Sequence, residues 1–322
     1  MVALEVVRQS NARLASLPHG LVALFIGATS GIGQATLQNF AKNLPSPRIY
    51  TVARPRSVPA HESLLDSLRQ TNPGGTYNLI TADVSLISEV DRVVEAILGQ
   101  EQKLDFLVMS AGFMAFEGRV DTGEGLDPSM TTRYYSRLRA VQGLLPLLDK
   151  SKSPRIVSVL AGGLEGNINE SDFDLRRPGN WAYWPASVQG ATMGTLALER
   201  LSREHPRVSI VHWFPGPVAT PGLARAKMFG MVPPSEMSQE ESGERGLFLA
   251  TSDRYKAGGG ESLVPVAEGV DVANKSGGGV FLVDPVGEST DNEKVLADYR
   301  TRGVDEAVWA HTQGIFVEAV GK

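Results

Sequence analysis

The sequence predicts an α/β chain, a doubly wound parallel sheet of seven strands with helices on both faces. Three observations carry that reading. Short β-rich runs alternate with longer amphipathic stretches, the order that successive βαβ units leave in a sequence. The runs are apolar at nearly every position, not at every second one, as strands covered on both faces must be. The first run, at 21–26, passes directly into a glycine-rich turn and then into a helical pattern.

The candidate strands are 21–26, 48–53, 77–82, 106–110, 155–160, 209–214 and 280–283. Candidate helices fall between them at 32–43, 63–70, 89–98, 131–148 and 187–203. Leu4, Val7 and Leu14, interrupted by Glu5, Arg8 and Arg13, read as an amphipathic helix and not as a secretory signal. Two segments break the alternation. Residues 162–184 are polar and carry Glu165, Glu170, Asp172 and Asp174, and residues 223–279 form a long insertion rich in Gly, Pro and Met. Both follow strands, and in an open parallel sheet the loops leaving the carboxyl ends of strands build the ligand crevice. The expected organisation is one domain over 1–322, with a helical extension at 1–20 and a substrate-pocket insertion at 223–279.

Composition narrows the function. Of the 322 residues 42% are hydrophobic and 21% charged, a balance suited to one large core in water. The net charge of -5 argues against nucleic acid or an anionic membrane as partner and leaves a small-molecule substrate. With no cysteine there is no disulfide, thiolate metal site or cysteine nucleophile. The longest apolar run is too short to span a bilayer, so a cytoplasmic location is expected. His19, His61, His205, His212 and His311 share no helix face, so no metal site is expected. His212, inside a strand, reads as a hydrogen-bonded core residue.

The sharpest motif is the turn Gly27-Ala28-Thr29-Ser30-Gly31-Ile32-Gly33. Glycines between a strand and a helix let the backbone turn tightly and approach a diphosphate, whose charge rests on the helix N-terminus. This strand–Gly-x-x-x-Gly-x-Gly–helix unit resembles the short-chain dehydrogenase/reductase superfamily, whose domain is of the Rossmann type. Further motifs of that family follow in order. Arg54 stands after the second strand where NAD-preferring members carry an acid; a guanidinium there implies a 2′-phosphate and hence NADP(H), with Arg56 assisting. Asp83 and Val84 match the pair beside the adenine. Ser110-Ala111-Gly112 stands in place of Asn-Ala-Gly. Pro215-Gly216-Pro217-Val218-Ala219-Thr220 resembles the Pro-Gly-x-Val-x-Thr segment that embraces the nicotinamide, so Pro215, Gly216, Val218 and Thr220 join the expected cofactor set. The resemblance covers 21 to about 222.

The same resemblance fails at the catalytic positions. Family members use a Ser, a Tyr, a Lys four residues later and a helix-borne Asn. Here Leu160 and Ala161 stand where the serines belong, Ser158 comes two residues early, and Arg133 replaces the Asn. No lysine occurs between Lys152 and Lys227. Tyr183 lies near the expected tyrosine and is followed four residues on by Ser187; a register anchored on Ser187 puts Trp184 there instead. The expected catalytic residues are therefore Arg133, stabilising negative charge on oxygen, and Tyr183, donating a proton, with Glu165 or Asp172 as acids that pair with Arg133 or protonate substrate. Trp181 and Trp184 could stack on a planar substrate, and Met228, Phe229, Met231 and Val232 either line the pocket or belong to the core.

The segments 196–201 and 293–312 resemble a fungal secondary-metabolism subgroup with the same degenerate tetrad. Three readings follow: an NADP(H)-dependent oxidoreductase of a small apolar carbonyl, imine or enone; a cofactor-binding cyclase, isomerase or cycloaddition enzyme without redox chemistry; or an inactive NADP-binding protein. The resemblance also implies a homodimer or homotetramer paired through the 131–148 helix, where Tyr134, Tyr135, Arg137 and Arg139 suit an interface, and the helix after the tyrosine.

Overall fold

A computed structural model describes residues 2–321. The chain runs α1 (Leu4–Ala12), β1 (Val22–Ile26), α2 (Gly31–Asn43), β2 (Arg48–Ala53), α3 (Val58–Thr71), β3 (Thr76–Thr81), α4 (Ile87–Leu98) and β4 (Phe106–Met109). After a loop come the short α5 (Pro128–Met130), a π-helical turn (Thr131–Tyr135) and α6 (Ser136–Leu148), then β5 (Arg155–Val159), α7 (Tyr183–Glu204) and β6 (Ser209–Trp213). The last part is α8 (Pro221–Met228), α9 (Gln239–Thr251), β7 (Phe281–Val283), α10 (Glu293–Thr301) and α11 (Val304–Val320). Every strand lies within a residue of its predicted run. All six pairings are parallel, and the strand order is β3-β2-β1-β4-β5-β6-β7. Connection direction reverses between β1 and β4, which opens the crevice at their carboxyl ends.

Alternation along each strand feeds two cores. On β1, Val22, Leu24 and Ile26 join the layer containing Val90, Val93, Val94 and Ile97 of α4. Ala23 and Phe25 face the other layer, with Leu37 and Phe40 of α2 and Leu247 and Phe248 of α9. Burial on both sides leaves β1 no polar face, which is why its sequence has no period-two pattern.

The 223–279 segment divides into two parts with different tasks. Its first part holds most of α8, whose opening residues Pro221 and Gly222 line the crevice. Its second part holds α9, the crossover helix that returns the chain to the sheet edge and packs along α2. A Cβ at Gly243 would meet the Ala35 carbonyl carbon at 2.6 Å, and one at Gly246 would meet Thr36 Oγ1 at 2.3 Å, so these glycines allow the two helices to touch backbone to side. Because α2 carries the glycine turn, α9 acts as its buttress.

The C-terminal helix covers the face expected to pair subunits. Tyr134 and Tyr135 are buried, with their hydroxyls 2.5 Å from Thr312 Oγ1 and 2.9 Å from His311 Nε2. The Arg139 guanidinium lies 5.4 Å over the Phe316 ring. Val304, Val308, Ile315 and Phe316 enter the same core as α4, α6 and α7. No helix among the described residues is long and apolar enough to cross a membrane.

Candidate cofactor and substrate cleft

A cavity of about 480 Å³ opens at the carboxyl ends of β1 and β4. Its walls include Gly27, Thr29, Ser30, Gly31, Ile32, Arg54, Asp83, Val84, Ser110, Ala111, Gly112 and Thr220, all expected from the sequence. Gly33, Pro215, Gly216 and Val218 do not line it, and neither do the expected catalytic residues Arg133 and Tyr183. Gly33 instead lets α2 start against the turn, since a Cβ there would meet the Gly27 carbonyl oxygen at 2.2 Å. Pro215 and Val218 are buried in the segment leaving β6.

The turn fits a diphosphate in shape and charge. Gly27 (φ +101°) and Gly31 (φ +62°) adopt the left-handed region, and Gly31 begins a 13-residue helix whose first amides face the cavity. Those unpaired amides and the helix dipole favour an anion. At the adenosine end, Arg54 is exposed and has no ion-pair partner among the described residues. Asp83 Oδ1 accepts from the Ser85 amide (3.1 Å) and hydroxyl (2.8 Å), which orients the carboxylate at the wall.

Behind Gly112 the π-helical turn brings Arg133 into the site. An extra residue in one turn rotates the side chains that follow it, a device often found at functional sites. Arg133 is half-buried. Its Nη1 donates to Ser187 Oγ at 2.8 Å, and its guanidinium lies 5.7 Å over the Tyr183 ring. Ser187 in turn donates to the Tyr183 carbonyl one helical turn earlier at 2.7 Å. A cation thus stands over the Tyr183 ring, carried by the facing helix and not by α7. Nε and Nη2 of Arg133 have no protein partner among the described residues.

Sequence reasoning missed Arg137, which it read as part of a subunit interface. Arg137 is buried beneath the same spot. Its Nε donates to the Thr132 carbonyl at 3.2 Å, Nη1 to Ser158 Oγ at 2.8 Å and the Val159 carbonyl at 2.9 Å, and Nη2 to the Ala111 carbonyl at 2.6 Å. All four acceptors are neutral. Burial first, and the nearby Arg133 charge second, push its pKa down to about 9, so it stays a cation at neutral pH.

The acids expected beside Arg133 lie elsewhere. Glu165 accepts from the Thr195 hydroxyl (2.6 Å) and the Gly163 amide (3.1 Å), and burial pushes its pKa up. Asp172 accepts from the Arg176 and Arg177 amides and from Asn180, and Asp174 pairs with Arg119 and Arg176. Glu170 pairs with Arg302. The sequence placed them on the right segment, but Asp172 turns back onto the segment's own amides, and Glu165, Glu170 and Asp174 are held by Thr195, Arg302 and Arg119 away from Arg133.

Thr195 also meets His212 Nδ1 at 2.8 Å, while His212 Nε2 accepts from the Ala161 amide at 3.2 Å. His212 therefore holds the end of β5 as a neutral ring. Burial pushes its pKa from 6.5 down to about 3. Between those values the unfolded chain takes up a proton that the folded chain refuses. Stability that is full above pH 6.5 is thus expected to fall on acidification, by about 1.4 kcal/mol per pH unit from this group. Buried His61 acts in the same direction; Glu165, with a raised pKa, acts against it. Urea unfolding at pH 7.5 and 5.5 should show this slope, flattened in His212→Gln; an unchanged slope in the variant removes the assignment.

The substrate side is aromatic. Phe116 and Phe229 stack with centroids 4.2 Å apart, Phe116 meets Tyr183 at 4.9 Å, and Tyr183 meets Trp184 at 5.0 Å. An Arg225–Glu117 ion pair of 2.6 Å ties α8 to the loop carrying Phe116. Met228, Phe229 and Val232 are exposed and therefore not core, while Trp181 packs under Arg119 at 5.6 Å.

The family model for short chain dehydrogenases matches residues 21–227. The chain belongs to this family. The NmrA-like family domain-containing oxidoreductase notO of Aspergillus sp. (strain MF297-2) is 63% identical over 319 residues, covering 99% of this chain and 96% of its own. An oxidoreductase of Emericella nidulans is 38% identical over 340 residues, with 99% of each chain covered. Among solved structures, a short-chain dehydrogenase from Sphingobium yanoikuyae in complex with NADPH shares the fold at a TM-score of 0.55 and 21% identity, covering 78% of this chain and 89% of its own.

Proposed function

We propose that this chain is an NADP(H)-dependent oxidoreductase of a small, apolar carbonyl, imine or enone of secondary metabolism, working with a non-standard catalytic set. The observation that carries the reading is the cleft itself. A glycine cradle for a diphosphate and an arginine without an ion pair at its outer end lead to a wall formed by Gly112 and Thr132, and Arg133 packs behind that wall against the Tyr183 ring. The NADPH complex of the Sphingobium relative, and the oxidoreductase names of the fungal relatives, support it.

The cradle amides of Thr29 to Ile32 would hold the diphosphate, Arg54 the 2′-phosphate, and Asp83 and Val84 the adenine side. Ser110, Ala111 and Gly112 would line the adenosine side, and Thr220 would complete the wall toward the nicotinamide. Bound NADPH supplies a hydride. Arg133 then stabilises the charge that develops on the substrate oxygen, and Tyr183 holds the proton that quenches it.

Incubation of cognate substrate with 4-deuterated NADPH tests the reaction: deuterium in the product is expected, and product without deuterium establishes the non-redox reading instead. Arg54→Ala should weaken NADPH about tenfold or more, the loss of a charge-assisted contact, and leave NADH within twofold. Titration of both cofactors by nicotinamide fluorescence checks it, and equal losses would remove Arg54 from the phosphate site.

With α11 on the pairing face, we propose that the chain works as one copy. Light scattering after size exclusion should give the mass of a single chain; a dimer or tetramer overturns this.

A further inference from the structure

Behind the Gly112 wall of the cleft stand two cations with no counter-charge among the described residues. Arg133 and Arg137 stand one helical turn apart, one half-buried and one buried. Arg137 is held by carbonyls and a hydroxyl alone. Glu165, Glu170, Asp172 and Asp174 are engaged with other partners, and Glu117 at the rim is paired with Arg225. Such a site repels a cation and gains most from a ligand that is negative or becomes so. Two donors of Arg133 remain to receive it. Beside them, the exposed rings of Phe229, stacked on Phe116, and Trp184, edge-on to Tyr183, leave aromatic surface open to a flat ligand.

We propose that the space between Arg133, Tyr183 and the Phe116–Phe229 pair is a subsite for a flat conjugated carbonyl compound whose oxygen carries or gains negative charge, and that it excludes iminium substrates. This rests on the redox reading and narrows its three substrate classes. For an enone, the reduced cofactor would supply a hydride, the C4–H bond of its dihydronicotinamide breaking as a C–H bond forms at the substrate's β-carbon. The alkene π pair shifts to form a new double bond toward the carbonyl carbon, and the carbonyl π pair passes to oxygen as an enolate. Arg133 holds that oxygen. Tyr183 gives its proton to the α-carbon, the C=O bond re-forms, and the phenolate regains a proton from water.

The test uses three naphthalene probes of one shape and different charge: 2-naphthoate, 2-naphthamide and 2-naphthylmethylammonium. Calorimetric titration of the full chain, with and without NADP⁺, should rank them acid, amide, cation, the acid at least tenfold tighter than the amide. Arg133→Gln should make acid and amide equal, and Phe229→Ala should weaken all three alike, with melting temperatures confirming folded variants. Equal binding of acid and amide to the wild type, or preference for the cation, overturns the subsite. So does displacement of NADP⁺ by naphthoate, which would place the anion on the α2 amides. NADPH binding is followed separately by its own fluorescence. If NADPH fails to bind while naphthoate keeps its preference, the cofactor reading falls and the subsite stands; the converse result removes the subsite alone.

Discussion

Arg133→Ala is expected to lower kcat by about 10²–10³, the usual cost of removing a donor aimed at a developing oxyanion, while leaving NADPH affinity within twofold. The argument turns on where the guanidinium sits. It touches Ser187 and the Tyr183 ring, not the residues that line the diphosphate end. A charge that the substrate gains only on the way to product interacts with Arg133 in the transition state and not before, so the loss should appear in kcat more than in KM. Arg133→Lys should recover part of the rate, because a point charge remains though the planar fork is lost. A second recovery separates charge from packing. Ser187→Lys in the Arg133→Asn background rebuilds the tyrosine–lysine spacing on α7, and the pair should turn over faster than Arg133→Asn alone. Stopped-flow oxidation of NADPH with the identified substrate reads all of these. Unchanged turnover in Arg133→Ala ends the catalytic role, whatever the fate of the cofactor site.

The parts of this site that were legible in the sequence are those fixed by local chemistry. The run 21–26 into Gly27, Gly31 and Gly33 announces a strand, a tight turn and a helix start within a dozen residues, and the structure puts them there. Arg54 and Asp83 were readable because each follows a strand end directly. What depended on distant packing was not. α9 contains Gly243 and Gly246, poor helix formers, and its helicity follows from burial against α2. The 131–148 pattern read as one regular helix, since no local signal marks a π turn. Arg133 then lies over Tyr183 and Arg137 points inward under Ser158, where the regular pattern had put Arg137 in a subunit interface. The tail was recognised by resemblance alone. That α11 would lie across Tyr134 and Tyr135 needed the third dimension. A buried arginine with only carbonyl partners has no sequence signature.

Gly27→Ala is expected to remove both the cofactor site and much of the stability. At φ +101° a residue with a Cβ is strained wherever it stands, at a cost of about 1–3 kcal/mol. Here the added atom also has nowhere to go. It would lie 2.2 Å from the Ala111 amide nitrogen and 2.6 Å from the Ala111 Cα, both backbone atoms at the end of β4. Neither can rotate aside, so β1 and β4 must separate where the Ser110 and Ala111 amides bond to the Ile26 carbonyl at 2.8 and 3.1 Å. Strain and lost pairing together should exceed about 3 kcal/mol, among the larger effects of a single methyl group. Gly20→Ala isolates the cause, because Gly20 also has positive φ (+75°) but no atom within 4 Å of an added Cβ. It should cost about 1–2 kcal/mol from backbone strain alone and keep full NADPH binding. Thermal denaturation and fluorescence titration of the two variants form one comparison. If Gly27→Ala melts with Gly20→Ala and still binds NADPH, the close approach of the turn to β4 is not what shapes the cleft.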